Sequence, residues 1–169
     1  MIGILNADDF YAHDDVVKNI AEKIIQTKTD SIYADLVYVD RFFSDKITRT
    51  WNSGEYKEGL FLKGWMPPHP TFFIKKECYD KFGTYTLKLK SAADYELMLR
   101  MLHKHKVSTC YLPEIITKMR VGGESNVSLK NRIRANKEDA EAWRMNDLKP
   151  GAFTRFKKPL SKVKQFLKK

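Results

Sequence analysis

The chain has 169 residues, 43% hydrophobic and 12% aromatic, which suits one soluble globular domain with its own core and excludes a disordered chain. Its net charge of +10 is unevenly placed: eight basic residues and no acid stand at 149–169, while the remainder carries 23 basic against 21 acidic residues. That asymmetry speaks for a function of the tail and against a folded nucleic-acid-binding body, so no nucleic acid is expected as a partner.

In chain order, a short apolar run (Ile2, Ile4, Leu5) reads as a buried strand ending at Asn6-Ala7-Asp8-Asp9. Asp14 and Asp15 then favour a helix N-terminus, and Val17, Ile20, Ala21 and Ile24 repeat at the spacing of one buried helical stripe. Leu36-Val37-Tyr38-Val39 is β-prone enough for a strand covered on both faces, and Lys46 to Trp51 alternates like an edge strand. Glycines and prolines between Asn52 and Pro70 predict a site-forming loop with one short helix around Glu58 to Lys63. Thr71 to Ile74 reads as a strand, and Lys76 to Phe82 as a helix closed by Gly83 in a left-handed cap.

Asp94 opens the strongest helix, which buries Tyr95, Leu97, Met98, Leu99, Met101 and Leu102 and pairs Glu96 with Arg100 at i,i+4. Val107 to Leu112 and Ile115 to Met119 predict two strands separated by Pro113, and a last helix runs from about Leu129 to Met145. Cys78 and Cys110 belong to no Cys-x-x-Cys pattern, which speaks against a disulfide framework or a zinc site. His103 and His105, two apart on a helix, point to different faces. No apolar stretch reaches the length of a membrane span and the N-terminus has no secretion signal, so a cytoplasmic location is expected.

The adjacent carboxylates of Asp8 and Asp9 suit a hard divalent cation such as Mn²⁺ or Mg²⁺; the plain alternative is a turn or a helix cap. Four segments in order bear on the choice: Asn6-Ala7-Asp8-Asp9-Phe10-Tyr11, Trp65-Met66-Pro67-Pro68-His69-Pro70-Thr71, Ala93-Asp94-Tyr95-Glu96-Leu97-Met98-Leu99-Arg100, and Met119-Arg120-Val121-Gly122-Gly123-Glu124-Ser125. Together they resemble the bacterial family 2 glycosyltransferases over residues 2 to about 145. The resemblance implies an α/β fold, the C-terminal part of a GT-A-type domain (1–148) with a mixed sheet and flanking helices. The family's βαβ portion that holds the nucleotide base and ribose is missing here. Position 93 is Ala where many relatives carry Glu.

The function implied is inverting transfer of a sugar from a nucleoside-diphosphate donor, UDP-linked, to a saccharide or lipid-linked acceptor in bacterial surface polysaccharide or glycolipid synthesis. By the same resemblance Asp9 is the metal ligand, Asp8 reaches the donor ribose and Asp94 is the catalytic base; His69, Arg120 and Ser125 attend the donor diphosphate. Each has a structural alternative: Asp94 a helix N-cap, His69 a structural hydrogen bond, Gly122-Gly123 an ordinary turn. Trp65 is assigned to an acceptor pocket wall. A noncatalytic transferase fragment acting as a subunit or membrane-surface module is the rival reading. The tail, 149–169, places Phe153, Phe156, Leu160, Val163 and Leu167 on one stripe among lysines, which predicts peripheral binding to an anionic membrane surface; a solvated tail or a helix docked on the domain are its alternatives.

Overall fold

The computed structural model describes residues 1–122 and 129–151, with the side chains of 129–133 left aside. The chain is an α/β protein built on a mixed sheet. Its strands are β1 (Ile2–Gly3), β2 (Phe10–Tyr11), β3 (Ser31–Val39), β4 (Ile47–Trp51), β5 (Phe73–Ile74) and β6 (Thr109–Arg120), and its helices are α1 (Val16–Thr27), α2 (Lys76–Phe82), α3 (Ala93–Met98) and α4 (Leu129–Met145). The strand order is β1-β5-β3-β6-β2, with β4 on the distal half of β3. Only β3 and β6 pair in parallel; the other pairings are antiparallel.

The centre of the sheet is β3, buried almost throughout because both its faces are covered. Ile32 and Ala34 pack with Val16 and Ile20 of α1 and Ile116 of β6. Tyr33 joins the larger core on the other face, with Phe61, Cys78, Leu97, Leu99, Leu102 and Trp143. These are three layers, helix on sheet on helices, the arrangement that buries a two-faced sheet.

Several expectations are corrected. The first strand is not buried: β1 has two exposed residues at the sheet edge, and Gly3 lies so close under the Phe73 ring that a Cβ there would collide with it. The buried stripe of α1 is Val16, Ile20 and the half-buried Ile24, whereas Val17 is 58% exposed and Ala21 faces solvent. The helix begins one residue earlier in phase than the spacing from Val17 implies. The short helix near Glu58 is a 3₁₀ turn, Leu60–Lys63, between left-handed Gly59 and Gly64. Another 3₁₀ turn, His69–Thr71, takes up the start of the segment read as a strand, leaving β5 two residues. Gly83 has φ 88° but ψ 160°, so it closes α2 without a left-handed helical cap.

The helix at Asp94 starts at Ala93 and widens after Met98 into a π-helical turn, Leu99–Lys104. Pro113 does not divide two strands. It lies inside β6 at a break in register, where Ala34 pairs Leu112 but Asp35 pairs Ile115, as a bulge tolerates a proline in a strand. That bulge lets Glu114 reach back to α1, accepting from Asn19 Nδ2 at 3.0 Å and contacting His13 Nε2 at 2.6 Å. Among the described residues no helix is long and apolar enough to cross a membrane.

Candidate functional site

Asn6 to Asp9 form a tight turn that leads into β2. The Asp9 amide donates to the Asn6 carbonyl at 3.1 Å, and Asn6 Nδ2 donates to Asp9 Oδ2 at 2.8 Å. This geometry favours Asn and Asp at a turn, because their side chains bond the local backbone and each other. The pair does not cap α1, which begins at Val16. The turn splits the two acids: Asp8 is exposed, while Asp9 is only 8% exposed. Burial raises the Asp9 carboxyl above the usual aspartate value; the Asn6 amide counters it, Asp8 adds repulsion, and the Arg120 backbone amide and His69 pull it down. Its Oδ1 is buried with no hydrogen-bond partner. A buried, unpartnered carboxylate oxygen is expensive to keep and is the kind of atom that awaits a ligand.

His69 opens the 3₁₀ turn that packs on β3, held by Thr71, whose hydroxyl lies 3.0 Å from the Ala34 carbonyl. His69 Nε2 and the Tyr85 hydroxyl share a hydrogen bond of 3.0 Å, with the two rings edge to face. Burial lowers the imidazole below its ordinary value, and the carboxylates of Asp94 and Asp9 act against that. The Tyr38 phenol of β3 is pushed up by burial, drawn down by Arg49, and pushed up again by Asp9 and Asp94. Tyr85 is likewise raised by burial, with Asp94 among the further causes. His69 and the Tyr38 phenol, on segments far apart in sequence, thus each feel the charges of both Asp9 and Asp94, and Tyr85 feels that of Asp94.

Asp94 is not the N-cap of its helix. Ala92 holds that position, and the amides of Ser91 and Ala92 both donate to Glu138 Oε2 of α4, at 2.6 and 3.1 Å. The Asp94 carboxylate accepts from the neighbouring Tyr95 amide at 2.7 Å. Its helix is fixed from behind: buried Glu96 accepts from Arg100 Nε at 2.8 Å and from Asn146 Nδ2 at 2.9 Å, and Trp143 Nε1 donates to the Tyr95 hydroxyl at 2.8 Å. Arg100 then ties down the carbonyls of Phe82, Gly83 and Thr84, ahead of Tyr85.

The remaining assigned residues divide. The Arg120 guanidinium lies 5.1 Å from the Phe10 ring and donates to the Arg41 carbonyl at 2.9 Å, so this side chain braces the loop after β3. Trp65 sits in an aromatic cluster with Tyr33, Tyr56 and Phe61 and donates its indole N–H to the Ser53 carbonyl at 2.8 Å. Ser125 and the tail beyond Gly151 lie outside the described residues. Sequence reading missed Tyr38 and Tyr85: an aromatic in a strand or loop carries no local signal of what it faces.

Among the described residues no cluster of three or more His, Cys, Asp or Glu side chains forms a protein-only metal cage. The Asp9 oxygen without a partner, beside exposed Asp8, fits instead a divalent ion held by one or two carboxylates and completed by water and substrate phosphates, as Mg²⁺ commonly is. Compared with known proteins, the chain matches no family model, and no curated protein matches it.

Proposed function

We propose that this chain is a GT-A-type, family 2-like glycosyltransferase domain that moves a sugar from a nucleoside-diphosphate donor, UDP-linked, to a hydroxyl acceptor, with inversion. The observation that carries the reading is the buried, unpartnered Asp9 Oδ1, with His69 and Tyr38 each feeling the charges of both Asp9 and Asp94. It supports the reading because glycosyl transfer needs two separate things: neutralisation of the leaving diphosphate and a base for the attacking hydroxyl. Asp9, with Asp8 beside it, would hold a Mn²⁺ or Mg²⁺ ion, which supplies Lewis-acid neutralisation of the diphosphate when bound.

Burial lowers the His69 imidazole and so favours its neutral form, and its ring, oriented by the Nε2–Tyr85 hydroxyl bond, would offer a hydrogen-bonding group to the donor. Asp94 takes the proton from the acceptor hydroxyl as that oxygen bonds to the anomeric carbon and the carbon–diphosphate bond breaks. One base and one displacement, with no nucleophile on the protein, give inversion. Release of UDP from UDP-sugars in the presence of Mn²⁺, abolished by Asp94→Asn, is the expected result; release that ignores this substitution, or none, would refute the reading.

A second reading is favoured by one feature. The β1 edge exposes Met1, Ile2 and Ile4, an open strand edge that suits a noncatalytic subunit joined to another chain by strand addition. Such a subunit would release no UDP. In either case the basic tail is proposed to hold the protein peripherally at the inner face of the plasma membrane, near lipid-linked acceptors.

A further inference from the structure

The turn between β3 and β4 carries two neighbouring phenylalanines that none of the described residues covers: Phe42 is 82% exposed and Phe43 69%. Bonds within the loop hold them there. Asp40 Oδ1 accepts from the amides of both, at 3.0 and 3.2 Å. The Asp40 amide donates to the Lys46 carbonyl at 2.9 Å, and the Lys46 amide to the Phe43 carbonyl at 3.0 Å. Arg120 of β6 braces the same loop through the Arg41 carbonyl at 2.9 Å. A turn fastened in this way fixes its backbone, and both rings leave it toward solvent. Single exposed apolar side chains need no explanation, but two adjacent rings on a projecting turn keep apolar area in water that a contact would bury.

The surroundings of this tip are basic. Arg41 and Lys46 are exposed in the loop itself, and Lys118 Nζ of β6 lies 3.9 Å from Asp45. With Arg120 these four cations outnumber the two acids, Asp40 and Asp45, and the Asp40 carboxylate is already engaged by two amides and by Lys46. Shape and charge together select the occupant. A second copy of this chain, itself at +10, would be repelled, and any protein partner would need an apolar hollow to receive a convex tip. A bilayer surface needs no hollow. Its headgroup boundary takes up the rings while the arginine and lysine heads stay level with anionic phosphates.

We propose that the Phe42–Phe43 tip is a membrane contact of the folded body, inserting into an anionic lipid surface beside the tail anchor proposed above. The tip does not rest on the transfer reading, and it supplies the apolar second signal that a basic anchor needs for stable attachment. The test uses the full chain and vesicles of phosphatidylserine and phosphatidylcholine. Phe42→Ser with Phe43→Ser should weaken co-sedimentation about tenfold or more at an unchanged melting temperature, because both side chains are already in water in the free protein. In Phe42→Trp, lipids brominated high in the acyl chain should quench fluorescence beyond the background that Trp51, Trp65 and Trp143 give in the parent. Capture of the double variant equal to the parent's, with no added quenching, overturns the tip and leaves the tail anchor standing. No capture of the parent overturns both. A parent that sediments as a dimer, and becomes a monomer on the double substitution, would assign the tip to a second copy and overturn the lipid assignment.

Discussion

Asp9 is held against its own interest. Its carboxyl is raised by burial more than its partners lower it, so the folded state binds that proton more tightly than the unfolded chain does. The resulting penalty is absent at acid pH, where the group is protonated in both states below the ordinary value of 3.8, and is complete above the raised folded value. Asp9→Asn keeps an oxygen for the Asn6 amide and removes the charge. It is expected to raise the melting temperature of the metal-free chain at pH 7 and to leave it nearly unchanged near pH 3, read by thermal scans at both pH values. A residue that served only the turn would instead lower stability at pH 7 when replaced. Asp94 calls for a different variant readout. Because Ala92 is the N-cap and Glu138 supplies the capping oxygen, Asp94→Asn should cost little stability. Its kcat should fall by about 10²-fold or more while donor affinity holds, as loss of a general base requires. A drop of about 1 kcal/mol in stability with turnover intact would return Asp94 to a capping role.

At the scale of elements, the helix that carries Asp94 is positioned by α4. Glu138 accepts from the amides of Ser91 and Ala92 just ahead of α3, Asn146 bonds Glu96, and Trp143 bonds Tyr95. Glu138→Ala should therefore cost about 1–2 kcal/mol, the range of a lost N-cap, and should also reduce turnover although Glu138 touches no reacting atom. Denaturant melts and steady-state kinetics check both; stability lost with turnover unchanged would show that α3 is positioned without α4. The sequence made much of this legible where the signal is local. The buried side of α3, the Glu96–Arg100 pair, the covered strand at Leu36 to Val39 and the span of α4 follow from periodicity and propensity. What it hid depends on partners distant in sequence. The Pro113 break looked like a strand end because a proline cannot donate to a ladder, yet a register shift against β3 absorbs it. The α1 stripe was misphased because Val16 and Val17 offer two equally apolar starts, and only packing against Ile32 and Ile116 selects Val16. Around the proposed site, Asp9 and Asp94 lie in segments that the sequence singles out, whereas Tyr38 and Tyr85 gain meaning only once β3 and the segment after α2 are brought together.

At the scale of the whole molecule, α1 covers one face of the sheet and α2, α3 and α4 the other. Leu148, just after α4, packs on the core, and the basic residues follow it in the sequence. Its eight basic residues can each contribute about 1 kcal/mol of attraction near an anionic lipid surface, before any apolar burial. Co-sedimentation with anionic vesicles should capture the full chain and not one ending at Lys149; equal capture of both, or of neither, would remove the tail as an anchor. The account as a whole turns on the shared site for a divalent ion and a diphosphate, and calorimetric titration of UDP in the presence and absence of Mn²⁺ addresses that most directly. The expected result is saturable binding that requires Mn²⁺ and disappears in Asp9→Asn while the fold is retained. Binding that is indifferent to Mn²⁺ or to that substitution, or no binding by the parent chain, would contradict it.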